Sequence, residues 1–392
     1  MNRAAIVEAQ ARYEANAYAR ADLVLARGEG SRVYDLDGTA YLDLYGGHAV
    51  CLLGHSPARI ADAIANQARD LLFYSNLVHL PVRARAAERL CRIAPWPDAR
   101  AFFVNSGAEA NEAALRMARQ ATGRTRVAAF RGGFHGRTLG ALGATALGHY
   151  RDAAAPILDP SGAFVFGECN DLDGLDRLVD STCAAVLVEP IQSMGGVRVL
   201  DPAFAVALRR RCDATGALLV FDEIQTAPAR TGFWFAGERW GIAPDLITMA
   251  KAVAGGFPAS VLLARGEVAA TTKPGDLGTT FGGGPLACAA IDATLAMLEE
   301  LDGPSRALAL EEAFRRGLAG LGGLEGVRGH GALLGLRMHE DAGRARATLR
   351  TERRILVGEC PGDPRVMRLF PPLTMTPGEL DEALDALRSV LQ

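Results

Sequence analysis

Lys251 is the side chain best placed for covalent chemistry, because a chain with 42 basic residues contains only two lysines. Lys251 ends the apolar run Asp245-Leu-Ile-Thr-Met-Ala-Lys251 and precedes a glycine-rich turn. The other, Lys273, lies in Thr-Thr-Lys-Pro-Gly-Asp, a composition typical of an exposed loop. An arginine keeps its proton at working pH, but a desolvated lysine amine loses it and can form a Schiff base. Lys251 is therefore the first candidate nucleophile, and the alternative is a strand-end lysine that reaches solvent.

An aspartate, Asp222, ends the apolar run Leu218-Leu-Val-Phe, 29 residues before Lys251. A carboxylate in such a position is partly desolvated and needs a cationic partner. A protonated pyridine nitrogen would supply one, and a Schiff-base lysine with an aspartate on the ring nitrogen is typical of pyridoxal-phosphate enzymes. A helix N-cap is the alternative, but the following Thr226-Ala-Pro-Ala does not continue as a helix.

Three glycine-containing segments could bind a phosphate or a carboxylate. The first segment, which begins at Val104, is typical of a helix start, whose free N–H groups suit an anion. The second segment, which begins at Arg131, adds an aromatic ring at Phe134 and a guanidinium at Arg137. On its own, a capped helix start explains the first segment about as well, and a loop with a surface arginine explains the second segment better. The segments are Val104-Asn-Ser-Gly-Ala-Glu-Ala-Asn-Glu, Arg131-Gly-Gly-Phe-His-Gly-Arg and Gly278-Thr-Thr-Phe-Gly-Gly-Gly.

These segments follow apolar runs that alternate with helical stretches from about residue 56 to residue 290. Uninterrupted apolar runs between helices predict an α/β fold with a mostly parallel sheet covered on both faces. Right-handed crossovers would place the carboxyl ends of all the strands along one edge, where ligands bind. Seven strands are predicted to begin at residues 101, 127, 164, 185, 217, 246 and 260, between helices over 58–72, 82–94, 108–121, 172–180 and 202–215.

Both ends of the chain differ from this pattern. A helix over 4–20 and three short alternating runs predict a small antiparallel meander before residue 55. After residue 290 the pattern predicts an α+β unit, so the large domain would span 56–290 and a smaller discontinuous domain would combine 1–55 with 291–392. Its helices are predicted over 286–301, 304–320 and 377–391, with strands near 331 and 366.

Composition argues against several classes of partner. The net charge of -3 gives no electrostatic reason to expect nucleic acid or an anionic membrane. No apolar run reaches the roughly 18 residues that span a bilayer. Seven cysteines show no C-x-x-C pair and no metal-ligand spacing, so no metal site is predicted. The odd cysteine count and the absence of a signal peptide at Met-Asn-Arg-Ala-Ala favour a reducing, cytoplasmic setting.

Taken together, the ordered motifs resemble those of class-III pyridoxal-phosphate aminotransferases, most closely the acetylornithine and succinylornithine aminotransferases. The likeness extends over nearly the whole chain and implies aminotransferase fold type I and a homodimer with shared active sites. It rests on Asn105-Ser-Gly-Ala-Glu-Ala-Asn-Glu, Phe134-His-Gly-Arg-Thr, Glu189-Pro-Ile-Gln, Asp222-Glu-Ile-Gln, Pro244-Asp-Leu-Ile-Thr-Met-Ala-Lys251, Thr280-Phe-Gly-Gly, Tyr41-Leu-Asp-Leu-Tyr-Gly-Gly-His-Ala and Arg368-Leu-Phe-Pro-Pro-Leu.

The resemblance implies a role in cofactor binding for seven residues. Lys251 would form the covalent link to pyridoxal phosphate, Asp222 would keep the ring nitrogen protonated, and Phe134 would stack on the ring. Gln225 would contact the phenolic oxygen. The phosphate would be bound by the backbone N–H groups of Gly107 and Ala108, and by Thr280 of the neighbouring subunit.

Three more residues match substrate-binding positions of the family. Arg137 and Thr279 correspond to positions that hold acylornithine, and Arg368 to the arginine that binds the α-carboxylate of glutamate or 2-oxoglutarate. The implied reaction, of the arginine-biosynthesis type, transfers the terminal amine of N-acetylornithine or a close N-acylated ω-amino acid to 2-oxoglutarate. Succinylornithine, ornithine and other ω-amino acids are alternative donors. A decarboxylase or lyase with the same cofactor, or a non-catalytic sensor, would be alternatives of another class.

Two positions depart from the family's pattern. Many relatives have Gly-Glu-Gly-Gly after Glu-Pro-Ile-Gln, where this chain has Ser193-Met194-Gly-Gly. In ornithine-type members that glutamate can pair with the arginine matching Arg368 while a terminal amine reacts. Met194 cannot form this ion pair, so Arg368 should stay open to a carboxylate, which argues against 4-aminobutyrate and, less strongly, against free ornithine. Gly284 replaces the usual asparagine after Phe-Gly-Gly and affects the local loop alone.

Overall fold

The computed structural model describes residues 1–159 and 161–392. Within them the helices are α1 (Arg3–Tyr13), α2 (Gly46–Ala49), α3 (Ala58–Asp70), α4 (Pro81–Ile93), α5 (Gly107–Thr122), α6 (Leu139–Ala144), α7 (Gly148–Arg151), α8 (Ala155–Leu158), α9 (Leu172–Leu178), α10 (Pro202–Thr215), α11 (Gly266–Ala269), α12 (Pro285–Glu300), α13 (Gly303–Gly317), α14 (Gly343–Glu352) and α15 (Pro377–Leu391). The strands are β1 (Leu25–Glu29), β2 (Arg32–Asp35), β3 (Ala40–Asp43), β4 (Arg100–Val104), β5 (Arg126–Phe130), β6 (Phe164–Gly167), β7 (Cys183–Val188), β8 (Ile191–Gln192), β9 (Arg198–Val199), β10 (Leu218–Asp222), β11 (Leu246–Met249), β12 (Ser260–Ala264), β13 (Leu324–His330), β14 (Leu333–Met338), β15 (Ile355–Leu356) and β16 (Val366–Leu369).

The largest sheet has seven strands in the order β4, β12, β11, β10, β7, β5, β6, and the predicted α/β fold is confirmed. Strands β11, β10, β7, β5 and β6 pair in parallel, whereas β12 runs antiparallel to both of its neighbours, β11 and β4. The prediction that all strands end at one edge is therefore wrong for β12. Residues 250–259 between β11 and β12 are too few for a helical crossover, which needs about a dozen residues or more.

Alternate side chains of the central strands point to opposite faces of the sheet. On β5, Val127 and Ala129 pack in a cluster with α5, while Ala128 and Phe130 pack in another with α9 and α10. Each fully buried leucine or phenylalanine contributes about 1.5–3 kcal/mol to folding. The two layers therefore hold β10 and β11 rigidly at the centre of the sheet, so the residues that follow these strands have fixed positions.

The N-terminal meander and the C-terminal region are joined by backbone pairing. β1, β2 and β3 form the predicted antiparallel meander, and β15 pairs in parallel with β3. A second small sheet contains β13, β14 and β16. The pairing of β3 with β15 is what a discontinuous small domain requires, and the domain limits 1–55, 56–290 and 291–392 stay a prediction.

The first helix is shorter than its sequence suggests. The alanine-rich pattern predicts a helix over 4–20, but α1 ends at Tyr13 and buries none of its residues. Most helical stability in proteins comes from packing of an apolar face, so propensity alone does not extend this helix. No helix in the described part of the chain is long and apolar enough to cross a bilayer.

Candidate active site

One cavity of about 290 Å³ at the carboxyl edge of the large sheet contains six of the seven predicted cofactor-binding residues. The strands end beside each other there, so residues distant in sequence become neighbours. Gly107 and Ala108 come from the start of α5, Phe134 from the segment after β5, Asp222 and Gln225 from the end of β10, and Lys251 from the segment after β11.

Asp222 is a buried carboxylate held by three hydrogen-bond donors. Its Oδ2 accepts from Asn111 Nδ2 at 2.8 Å and from His135 Nδ1 at 2.7 Å, and its Oδ1 accepts from the Ile224 N–H at 3.1 Å. Burial alone would lower the pKa of His135, but the hydrogen bond and charge of Asp222 outweigh it and raise that pKa. With these three donors in place, Asp222 Oδ1 still keeps a lone pair for a cation in the cavity.

Sequence reasoning missed two residues that orient Asp222. In the sequence, His135 is one residue of the Phe-His-Gly-Arg motif and Asn111 is one residue of a helix start, and neither pattern assigns a role to the residue. Asn111 is fixed in turn, because its Oδ1 accepts from Thr248 Oγ1 at 2.8 Å and its Nδ2 also donates to the His135 carbonyl at 2.7 Å. An asparagine on the buried face of an alanine-rich helix needs polar partners, and that signal could have pointed to this network.

The Lys251 side chain lines the same cavity, and its backbone adopts a left-handed conformation with φ 49°. Burial lowers the pKa of its amine to about 8. The nearby Asp222 and Glu189 carboxylates oppose this shift and do not cancel it. The amine is therefore neutral far more often near pH 7 than an exposed lysine, as a nucleophile requires.

The start of α5 can bind a phosphate. Ser106 Oγ accepts from the Glu109 N–H, and the Glu109 carboxylate accepts from the N–H groups of Ser106 and Asn105, which forms a capping box. This leaves the first-turn N–H groups of Gly107 and Ala108, which have no partner within the helix. Both residues line the cavity, and the positive end of a 16-residue helix favours an anion there.

The remaining cavity groups also fit pyridoxal phosphate. Gln225 is buried, and its Oε1 has no hydrogen-bond partner. An amide can rotate so that its NH₂ takes that position, and it would then donate to a phenolic oxygen. The ring of Phe134 is half-buried at the cavity wall. Burial raises the pKa of Glu189 to about 7, and this carboxylate accepts from the Phe134 N–H at 2.8 Å, which fixes the position of the ring.

Arg368 is fully buried and has no carboxylate partner among the described residues. Its Nε donates to the Glu359 carbonyl at 2.5 Å, and its Nη1 contacts Ser193 Oγ at 3.1 Å and Met194 Sδ at 3.4 Å. The Nη2 has no partner. A buried cation without an acid is costly, so this guanidinium is prepared for an anionic ligand. Its charge acts on Lys251, where it lowers the pKa of the amine.

Like Arg368, the other three predicted residues do not line the cavity within this chain. Arg137 is exposed, with its guanidinium 4.9 Å from the centre of the Tyr150 ring. Thr279 accepts from Asn105 Nδ2 at 3.2 Å, so it lies next to a cavity residue, and Thr280 is exposed. A role for Thr280 in a neighbouring subunit is compatible with this exposure, and all three roles stay predictions.

Comparison with known proteins agrees with this geometry. A family model described as "Aminotransferase class-III" matches residues 13–391. The acetylornithine aminotransferase of Methanosarcina acetivorans is 38% identical over 384 residues, covering 97% of this chain and 95% of the relative. The acetylornithine aminotransferase of Elizabethkingia anophelis has a similar structure, with a TM-score of 0.86, 26% identity and coverage of 100% and 99%.

A structure of Toxoplasma gondii ornithine aminotransferase, described as having pyridoxal phosphate at partial occupancy in its active site, gives a TM-score of 0.91. It is 29% identical, over 98% of this chain and 93% of that one. The family match over residues 13–391 and the 38% identity to the Methanosarcina acetivorans relative lead to the same assignment. The chain belongs to the class-III aminotransferases.

Proposed function

We propose that this protein transfers the terminal amine of N-acetylornithine, or of a close N-acylated ω-amino acid, to 2-oxoglutarate. The products would be the corresponding semialdehyde and glutamate. The observation that supports this proposal best is the buried Arg368, a guanidinium without an acid partner among the described residues. Its charge acts on Lys251, which lines the cavity together with Asp222. The name of the 38%-identical relative supports the choice of donor.

When bound, pyridoxal phosphate supplies an electron sink for the negative charge that develops on the substrate carbon. Asp222 Oδ1 would keep the ring nitrogen protonated, and the N–H groups of Gly107 and Ala108 would bind the phosphate. Lys251 Nζ, with its pKa near 8, would take the proton from the substrate carbon and return it to the carbon on the other side of the transferred nitrogen, two bonds away. His135 and Asn111 orient the Asp222 carboxylate through their hydrogen bonds.

Arg368 would bind the α-carboxylate of the acceptor through its free Nη2. Because the neighbouring side chain is Met194 and not an acid, no carboxylate in the described part of the chain would mask the guanidinium while the donor reacts. An N-acylated amino acid, whose own carboxylate can engage a permanently available arginine, suits this arrangement better than 4-aminobutyrate.

We also propose a homodimer. Seven large apolar side chains that are more than a third exposed lie on the segment after α3 and at Phe281, and patches of this kind usually mark an interface. Asn76 ties the two parts together, since its Nδ2 donates to the Thr279 and Gly282 carbonyls at 2.9 and 3.1 Å. We call this surface the 71–78 patch, and it consists of Leu71, Leu72, Phe73, Tyr74, Leu77, Val78 and Phe281.

The patch adjoins Thr280, so a second copy seated on it would bring this threonine towards the partner's cavity. Seven free cysteines fit a reducing compartment, and a cytoplasmic location is part of the proposal.

A donor panel tests the reaction. The protein with bound pyridoxal phosphate is given 2-oxoglutarate and N-acetylornithine, N-succinylornithine, ornithine or 4-aminobutyrate, and glutamate is measured. We expect an N-acylated donor to have a kcat/KM at least about tenfold above the other two. Equal rates with 4-aminobutyrate would contradict the role given to Arg368. Release of CO₂, or product without any keto acid, would indicate a decarboxylase or lyase instead.

A further inference from the structure

Cys51, His55 and Asp43 form a linear array near the start of the chain. Cys51 Sγ lies 3.5 Å from His55 Nδ1, and His55 Nε2 lies 2.7 Å from Asp43 Oδ2. Thiol nucleophiles in enzymes have this arrangement of a sulfur, an imidazole and a side-chain oxygen, and the third group orients the imidazole. Here the third group is the Asp43 carboxylate. Both ring nitrogens are engaged, so the three side chains cannot bind a metal together.

Asp43 and His55 are held rigidly. Asp43 is buried, and its Oδ1 accepts from the N–H groups of Tyr45 at 2.8 Å and Gly46 at 3.0 Å. The backbone of His55 pairs with Gly30 on both sides, through hydrogen bonds of 2.7 and 3.1 Å. The hydrogen bond to Asp43 raises the pKa of His55 to about 10. The imidazole therefore carries both protons at neutral pH and presents Nδ1–H to the sulfur.

A second cation lies near Cys51. Arg230 is fully buried, with Nη2 donating to the Ala49 carbonyl at 2.8 Å and Nη1 to the Ala332 carbonyl at 3.3 Å. Its Nε has no partner. Burial lowers the pKa of Arg230 to about 10, and the charge of an ionised Cys51 would oppose this shift. An anion formed at Cys51 would therefore have a protonated imidazole in contact and a buried guanidinium nearby.

Cys51 differs from the two other half-buried cysteines in its contact with a histidine. Cys91 and Cys169 are also half-buried, and burial raises the pKa of both thiols, that of Cys169 to about 12. Neither is hydrogen-bonded to a histidine in the described part of the chain. The remaining four cysteines are buried.

We propose that Cys51 is a covalent modification site for peroxides and other soft electrophiles, with His55 as its activating partner and Asp43 as the residue that orients His55. With hydrogen peroxide, the sulfur attacks one oxygen, an S–O bond forms and the O–O bond breaks. Sulfur is oxidised to the sulfenic acid, and the peroxide is reduced. The departing hydroxide takes the proton supplied through His55 and leaves as water. This proposal is independent of the transamination reaction.

The test compares alkylation rates within one molecule. The protein with bound cofactor is treated with limiting iodoacetamide at pH 7, and each cysteine's labelling is followed by peptide mass spectrometry. We expect Cys51 to react at least about tenfold faster than Cys91 and Cys169. In a parallel sample, hydrogen peroxide followed by a sulfenic-acid trap should label Cys51 first.

The variant His55→Gln separates activation from exposure, because glutamine can still donate a hydrogen bond but carries no charge. We expect its Cys51 labelling rate to fall about tenfold while the Cys91 and Cys169 rates stay the same. Equal labelling of the three cysteines in the unaltered protein would refute the proposal, whether or not His55→Gln folds. So would an unchanged Cys51 rate in a folded His55→Gln protein.

Discussion

Two charged groups of opposite sign lie in one cavity without pairing with each other, the Asp222 carboxylate and the Lys251 amine. Asp222 is engaged by His135 and Asn111, and burial lowers the pKa of Lys251. A direct ion pair would keep the lysine protonated and occupy the carboxylate. The separation leaves each group able to act on a different part of a bound cofactor.

Replacement of Lys251 by arginine should abolish transamination. Arginine is similar in size and charge, but it neither loses its proton nor forms the covalent link. We expect turnover to fall by at least about 10³-fold, with sedimentation and circular dichroism unchanged. The matched control is Lys273→Arg, which changes the other lysine of the chain at an exposed position and should keep full activity. Normal turnover in Lys251→Arg would disprove the role of Lys251.

The pKa of Lys251 predicts how cofactor binding depends on pH. Only the neutral amine of Lys251 attacks the aldehyde of pyridoxal phosphate. With a pKa near 8, about a tenth of the Lys251 side chains are neutral at pH 7, compared with about 0.03% for an unperturbed lysine. The rate at which the cofactor-free protein links added pyridoxal phosphate should therefore rise about tenfold per pH unit below 7 and level off above about 8. Stopped-flow absorbance measures this rate. A rate that still rises steeply at pH 10 would contradict the lowered pKa.

Met194 should control access to Arg368. In Met194→Glu the new carboxylate would lie where Met194 Sδ now contacts Arg368 Nη1, and it would pair with the guanidinium. We expect the KM for 2-oxoglutarate to rise roughly tenfold, because the acceptor must then displace this partner. Met194→Gln has the same shape without the charge and should change the KM much less. Similar KM values in both variants would argue against masking of Arg368.

At the level of elements, the proposed phosphate site depends on close contact between α5 and the segment 131–137. Gly136 has φ 136°, and a Cβ there would lie 2.7 Å from Ala108 Cβ and 3.0 Å from its Cα. Gly136→Ala should push Ala108 away and weaken binding of pyridoxal phosphate at least about tenfold, with strain of about 1–3 kcal/mol. Gly148→Ala is the control, since its Cβ would meet nothing within 4 Å. Fluorescence titration of the cofactor measures both, and equal affinities would contradict the packing argument.

The positions of most elements could be predicted, because the apolar runs of β5, β7, β10 and β11 and the periodicity of the long helices are strong local signals. The direction of β12 could not be derived from its own residues, because an apolar run has the same pattern in both directions. The short connection from β11 does indicate an antiparallel strand. The Asp222–His135 contact joins residues 87 apart and depends on strand order. Local pattern does not determine that order.

At the scale of the whole molecule, the 71–78 patch should hold two chains together. Leu77 is 91% exposed in the single chain, so Leu77→Asp should leave each chain folded while it weakens the dimer. We expect a shift from dimer to monomer in sedimentation velocity and a loss of activity if Thr280 serves the partner's site. Leu172→Asp, at a 50% exposed leucine on α9 away from the patch, should remain dimeric. A dimer that persists in Leu77→Asp would place the interface elsewhere.

The scarcity of lysine has a practical result for measurements of occupancy. A lysine-specific protease acting on the unfolded chain can cut after Lys251 and, poorly, before the proline that follows Lys273. If borohydride first fixes the cofactor on Lys251, that lysine is no longer recognised and the main cut disappears. The ratio of intact chain to fragments on a gel would then report the fraction of molecules that carry cofactor, without any spectroscopic signal.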